Sequence, residues 1–154
     1  MMKSLNRVTL SVFVKPHEGE DLAAVKQALI DLVPLNLEDE KLGVKDEVAQ
    51  GFNEQPIHIL SITLVKQSHC TAFLKALLNR LTREQKELFL SQKESRLDNE
   101  LNFFIRLDKD AWLSNRTVSI TDSGRCFHIT MAIATYPARR PDALLSVEKI
   151  FKPE

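Results

Sequence analysis

The chain has 154 residues, of which 44% are hydrophobic and 27% charged, with 21 basic against 21 acidic side chains. That is an ordinary soluble, globular composition with enough length for a real core, and its neutral total offers no bulk attraction to a polyanion. The balance is uneven along the chain: Glu18 to Glu54 holds ten carboxylates and three lysines, whereas Arg106, Lys109, Arg116, Arg125, Arg139 and Arg140 crowd the C-terminal third.

In "RVTLSVFVK", Val8, Leu10, Val12 and Val14 alternate with Arg7, Thr9, Ser11, Phe13 and Lys15, which predicts a half-buried strand. "HEGEDLAAVKQALIDLVP" then places Leu22, Val25, Leu29 and Leu32 at helical spacing. Glu20 or Asp21 can cap that helix and Pro34 stops it. Residues 35–43 read as an acidic loop, and a weaker strand covers Val44 to Ala49. Gly51, Asn53 and Pro56 turn the chain into "IHILSITLVK", a strand by its β-branched content and period of two.

Ser68 is a candidate N-cap for "HCTAFLKALLNRL", whose Phe73, Leu74, Leu77, Leu78 and Leu81 form one apolar stripe. Thr82 with Gln85 is a capping-box pattern, so a separate helix starts there. Asp98-Asn99 reads as a turn into the strand "LNFFIRL". Asp108 can cap a short helical turn over Lys109 to Leu113. "RTVSIT" reads as a strand with Val118 and Ile120 inward, and "TDSGR" as a hairpin loop with Gly124 at positive φ. "CFHITMAIATY" is its partner strand, ended by Pro137, and Pro141 sits in the first turn of a last helix.

This order of elements predicts an α+β sandwich: a single, mostly antiparallel sheet with helices packed on one face. No repeat, low-complexity stretch or linker appears, so residues 1–154 read as one domain.

Catalytic patterns are sparse. The four glycines are never clustered, there is no G-x-S-x-G, and no histidine pair has zinc spacing. His69 and Cys70 are neighbours on a helix and face different ways. Asp108 and Asp110 could pair on a metal, but Asp108 sits where a cap belongs and Lys109 competes for charge. The expectation is therefore no enzyme, no cofactor and no metal. Cys70 and Cys126, far apart, exclude a disulfide scaffold and fit a reducing cytoplasm. No secretory signal opens the chain, and no apolar run approaches the ~20 residues that span a bilayer, so no membrane partner is expected.

A binding surface is the better prospect. If Val8 to Val14 face the helices, the other sheet face shows Arg7, Phe13, Lys15, Phe104, Arg106, His128 and Tyr136. Aromatics mixed with cations suit unstacked bases and phosphates. The same face would equally serve a homodimer or other protein contact, and alternation alone does not choose between them. Lys109 and Arg116 flank the Trp112 turn, Arg125 lies in the hairpin, and Arg139-Arg140 follow Tyr136-Pro137, where solvated cations can reach phosphates. Trp112 itself fits a core plug as well as a stacking platform.

"FFIRLDKDAW" followed by "DSGRCFHITMAIATYPARRPDAL" resembles the C-terminal signature of an archaeal family of RNA-binding proteins and predicted exosome subunits. "GFNEQPI" and "SHCTAFLKALL" agree with it in outline. The resemblance covers nearly the whole chain, its specific part being the C-terminal third. It implies a fold like the large-subunit ribosomal protein that binds 5S RNA, and RNA as the ligand without catalysis. It also implies partners in RNA processing, the exosome among them. Arg106, Asp108, Lys109, Tyr136, Arg139 and Arg140 match the family's recurrent positions. Trp112-Leu113-Ser114 departs from its pattern at the turn. The residues expected to meet RNA are Arg106, Lys109, Arg116, Arg125, Arg139, Arg140, Phe104 and Tyr136.

Overall fold

A computed structural model describes residues 3–122 and 124–153. Strand β1 (Leu5–Val14) leads through a single tight turn (Pro16–Glu18) to helix α1 (Leu22–Asp31). Strands β2 (Lys45–Gln50) and β3 (Pro56–Leu64) form an antiparallel hairpin. Helices α2 (Gln67–Arg80), α3 (Arg83–Ser91) and α4 (Lys93–Arg96) precede β4 (Asn102–Asp108). Helix α5 (Lys109–Asn115), β5 (Cys126–Ile133) and α6 (Arg140–Phe151) complete the chain. The strands make one open antiparallel sheet in the order β2-β3-β1-β5-β4, as expected for the α+β class. Among the described residues, no helix is long and apolar enough to cross a membrane.

Alternation sets the two faces of the sheet. Val8, Leu10, Val12 and Val14 are buried, while Phe13 between the last two is 49% exposed. In β4, Phe103, Ile105 and Leu107 are buried and Phe104 is exposed. In β5, Phe127, Ile129, Met131 and Ile133 are buried, with His128 half-buried between them. β2 is exposed throughout and carries Lys45, Asp46 and Glu47, and charges on an edge strand discourage pairing with a second chain.

Two compact units make up the chain. One takes the chain up to Val8, Leu64–Ile105 and everything from Thr130 on. Its core is an aromatic cluster in which the Phe89 ring lies 6.1 Å from Phe103 and 5.2 Å from Phe151. Each such buried ring contributes about 1.5–3 kcal/mol through removal of apolar area from water. The Thr82–Gln85 capping box forms as expected and separates α3 from α2. The other unit takes Thr9–Thr63 and Arg106–Ile129. There α1 packs on α5, Asp21 caps α1, and Asp108 caps α5 by accepting from the Ala111 amide at 3.0 Å.

Four local expectations are corrected. Ser68 is not an N-cap, because α2 starts at Gln67 with Lys66 in the cap position and no side-chain cap. Leu101 does not open β4. It sits in a left-handed turn at φ 66°, where Asp98 accepts from the Glu100 and Asn102 amides. "RTVSIT" makes only a single bridge, Ile120 to Leu107, with Asp108 and Thr121 amides bonding Ser119 and Arg106 carbonyls. Its first residue, Arg116, is still the left-handed cap of α5 at φ 53°, which leaves too little extended chain for a ladder. β5 stops at Ile133 rather than Tyr136, the Ala134 amide making one further bond to the Ser4 carbonyl before the chain turns away.

Candidate nucleic-acid interface

Glu20 organises the second unit's cavity. Its side chain is 10% exposed and lies 2.6 Å from the Lys109 ammonium and 2.7 Å from the Arg125 guanidinium. Its other oxygen accepts from the Lys15 amide at 2.8 Å. Burial alone would raise the carboxyl's pKa. The hydrogen bonds from Lys109, the Lys15 amide and Arg125 outweigh burial and hold it at about 2, against an ordinary 4.5.

Lys109 answers to that carboxylate, and the expectation that it extends outward is overturned. It is 3% exposed and also donates to the Phe13 carbonyl at 2.6 Å. The first turn of α5 aims it inward, beneath β1. An ammonium so placed must be paired, and Glu20 supplies the pair.

Around this hub lies a cavity of about 400 Å³. Phe13 and His128 form its aromatic wall, with ring centroids 6.0 Å apart and planes at 47°. Lys15, Glu18 and Arg125 form its charged rim, and Gly124 lies at its edge with φ +83°. Burial first, then the nearby Arg106 charge, lowers the His128 pKa, so at neutral pH it offers an uncharged ring. Cys126 Sγ lies 3.5 Å from His128 Nε2, while burial raises the thiol's pKa. A neutral thiol beside a neutral imidazole is the reverse of an activated Cys–His nucleophile.

The remaining expected cations are exposed to differing degrees and mostly engaged. Arg106 is exposed and donates to the Asp122 carbonyl at 3.2 Å. Arg125 also reaches Asp110 at 3.2 Å. Arg116 lies apart from the cavity, bonding Asp31 at 2.9 Å and the Trp112 and Leu113 carbonyls at 3.0 Å. It therefore closes the C-terminus of α5.

The first unit holds the other four expected residues. Tyr136 is 99% exposed and Phe104 is 38% exposed. Arg139 is exposed and pairs with Asp142 at 3.2 Å. Arg140 donates to the Leu97 and Glu94 carbonyls at 2.8 and 2.6 Å, which fastens α6 to the end of α4. Its charge is spent on structure, so it is the less suitable of the two arginines for phosphate.

Glu18, Glu20 and Cys126 escaped the sequence reading as site residues. Glu20 showed there only as a cap, and nothing local marks a carboxylate whose partners lie in α5 and in the loop before β5.

The Glu20 pKa sets a pH dependence. Its folded value lies below its unfolded value, so its stabilisation is present above pH 4.5 and lost as pH falls through about 2. A carboxylate held that low contributes about 3 kcal/mol. Glu20→Gln is expected to flatten the stability profile between these two pH values. Urea unfolding at several pH values checks this, and an unchanged acid limb in the variant contradicts it.

A family model described as RNA binding matches residues 7–134. Over 134 residues the chain is 22% identical to the RNA-binding protein PAB1135 of Pyrococcus abyssi, covering 86% of each. The crystal structure of protein AF2318 from Archaeglobus fulgidus, a DUF54 protein, superposes with a TM-score of 0.81. It is 29% identical and covers 95% of this chain and 99% of that one. A DUF54 protein from Methanothermobacter thermautotrophicus superposes at 0.75 with 24% identity, over 97% of this chain and 99% of its own, which shows likeness of fold alone.

Proposed function

We propose, because the chain belongs to the RNA-binding family, that it binds RNA without transforming it and takes one unstacked nucleotide into the cavity beside Phe13. The observation that carries this reading is an aromatic wall set next to a charged rim that presents Lys15 and Arg125, in one cavity of about 400 Å³. That volume lies in the range of small-ligand sites and accommodates a base with its ribose and phosphate. The base stacks on Phe13 and the neutral His128 ring. Lys15 and Arg125 face the phosphate, and Arg106 and Arg139 are the further outward cations that neutralise the strand. Lys109 acts from within, by holding Glu20 and the β1 backbone. Tyr136 and Phe104 are additional stacking surfaces in the first unit, while Arg116 and Arg140 chiefly brace the helices that present the others.

Phe13→Ala is expected to weaken binding of single-stranded RNA by roughly 1–3 kcal/mol, the worth of one stacked base. The slope of log K against log salt should stay unchanged, because no charge is removed. Filter binding over a salt series reads both quantities. Unchanged affinity in Phe13→Ala removes the stacking role, and a flat salt curve for the unaltered chain removes RNA as the ligand.

The finer reading is an accessory part in RNA processing or exosome-linked degradation in the cytoplasm, with residues 1–154 acting as one RNA-binding domain. The C-terminal resemblance supports it, and co-purification with an exosome core tests it. The alternative, a homodimer through the open sheet face, is favoured by one observation, the exposed Phe13 ring. It predicts a concentration-dependent dimer that Phe13→Glu dissociates, read by sedimentation.

A further inference from the structure

Within the first unit, α2, α3 and α6 bound a cleft of about 410 Å³ whose polar lining carries positive charge without a carboxylate. Lys75 comes from α2, Lys86 from α3, Lys149 from the last turn of α6, and Lys152 from the cap position just beyond it. Leu74, Leu78 and Ile150 give it an apolar floor, along which lysine stems can lie while their ammonium groups stay in water. Among the described residues, the ammonium groups of these four lysines meet no hydrogen-bond acceptor or carboxylate partner. Two neighbouring acids are engaged with other cations: Glu87 with Arg83 at 3.2 Å, and Glu148, which lines an adjoining pocket with Lys149 and Lys152, with Lys93. Four positive charges around one cleft repel one another, and an anion relieves that repulsion.

The contrast with the expected arginines is sharp. Arg125, Arg116, Arg139 and Arg140 each already touch a carboxylate or a helix-end carbonyl, of Glu20, Asp31, Asp142 and Leu97 in turn. The four lysines of the cleft have no such partner among the described residues. Ammonium groups on long stems act as point charges and do not impose the paired geometry of a guanidinium. They therefore suit successive phosphates of a strand rather than one fixed group. Nothing in the cleft offers an aromatic ring, so it holds backbone and not bases.

We infer that Lys75, Lys86, Lys149 and Lys152 form a second RNA contact, a sequence-indifferent site for the phosphodiester backbone. This rests on the RNA-binding reading of the chain and adds to it a surface distinct from the Phe13 cavity. The test replaces all four lysines by glutamine in the full chain and measures affinity for a single-stranded RNA across a salt series. Each lost phosphate contact lowers the slope by about 0.7, so the slope should fall by about 3, with affinity about a hundred-fold weaker near 0.1 M salt. In parallel, RNA should protect the four amines of the unaltered chain from acetylation. If the quadruple variant keeps the full slope and affinity and its amines are unprotected, while Phe13→Ala weakens binding, the lysine site is overturned and the RNA reading stands. If the unaltered chain shows no salt-dependent RNA binding, both are overturned.

Discussion

Replacing Lys109 by alanine is expected to destabilise the protein by about 3–5 kcal/mol, the usual cost of removing one member of a buried ion pair. Lys109 and Glu20 are both nearly sealed from solvent, with side chains 4% and 10% exposed. Taking away the ammonium leaves the carboxylate, among the described residues, with the half-exposed Arg125 guanidinium as its cation in contact. It also strips the Phe13 carbonyl of the Lys109 donor. Two part-buried acceptors thus lose a partner at once, and such losses cost more than the original contacts contribute. For a chain of this size the melting temperature should fall by about 10 °C. The double variant Lys109→Met with Glu20→Gln should recover much of the loss, because it removes both charges together and restores apolar volume. Urea midpoints of the two single variants and the pair measure the coupling. A loss under about 1 kcal/mol in Lys109→Ala would mean that the amine reaches water and that Glu20 is not its anchor.

This residue also shows what a sequence discloses and what it withholds. The alternation of Val8 to Val14, the Thr82–Gln85 box and the Asp108 cap are local patterns, and each forms where its spacing places it. Lys109 carries the same charge as Arg106 three positions earlier, yet one is buried and the other exposed. The difference is that Arg106 alternates outward on β4, whereas Lys109 opens α5 and turns beneath β1 toward Glu20. Period-two reasoning fails at the residue where the strand ends. The cavity was illegible for a related reason: its wall and rim come from β1, the turn after it, α5, the loop before β5 and β5 itself. The lysine cleft was missed because each lysine, read on its own helix, is an ordinary solvated position. Only the packing of α2, α3 and α6 gathers them. Ser68 failed more simply, by one residue of helix register, the usual uncertainty of a helix end.

Trp112 was compatible with two sequence readings, and the structure makes it a core plug. It is 1% exposed, and its indole N–H donates to the Ala28 carbonyl at 2.7 Å. That carbonyl belongs to the last turn of α1, where helix geometry supplies no further donor once the chain leaves the helix. The Leu32 amide bonds Leu29 instead, so Trp112 completes the end of α1 from α5. Arg116 lies 5.8 Å from the ring and bonds Asp31, so the same pair of helices is fastened a second time at the surface. Trp112→Ala should cost about 3–5 kcal/mol, from the cavity left by the ring together with the orphaned carbonyl. Trp112→Phe separates the two effects: it keeps most of the apolar area and should cost about 1–3 kcal/mol, chiefly for the carbonyl. Because this is the chain's single tryptophan, its emission is a direct probe. The native protein should emit at short wavelength, resist acrylamide, and show both properties lost on unfolding. RNA should leave them unchanged, and Trp112→Phe should bind RNA as tightly as the unaltered chain at a temperature where both are folded. Strong quenching by RNA, or loss of RNA affinity in a folded Trp112→Phe, would return the ring to the role of a stacking platform. The buried hydrogen bond to Ala28 would then have to open for RNA to reach it.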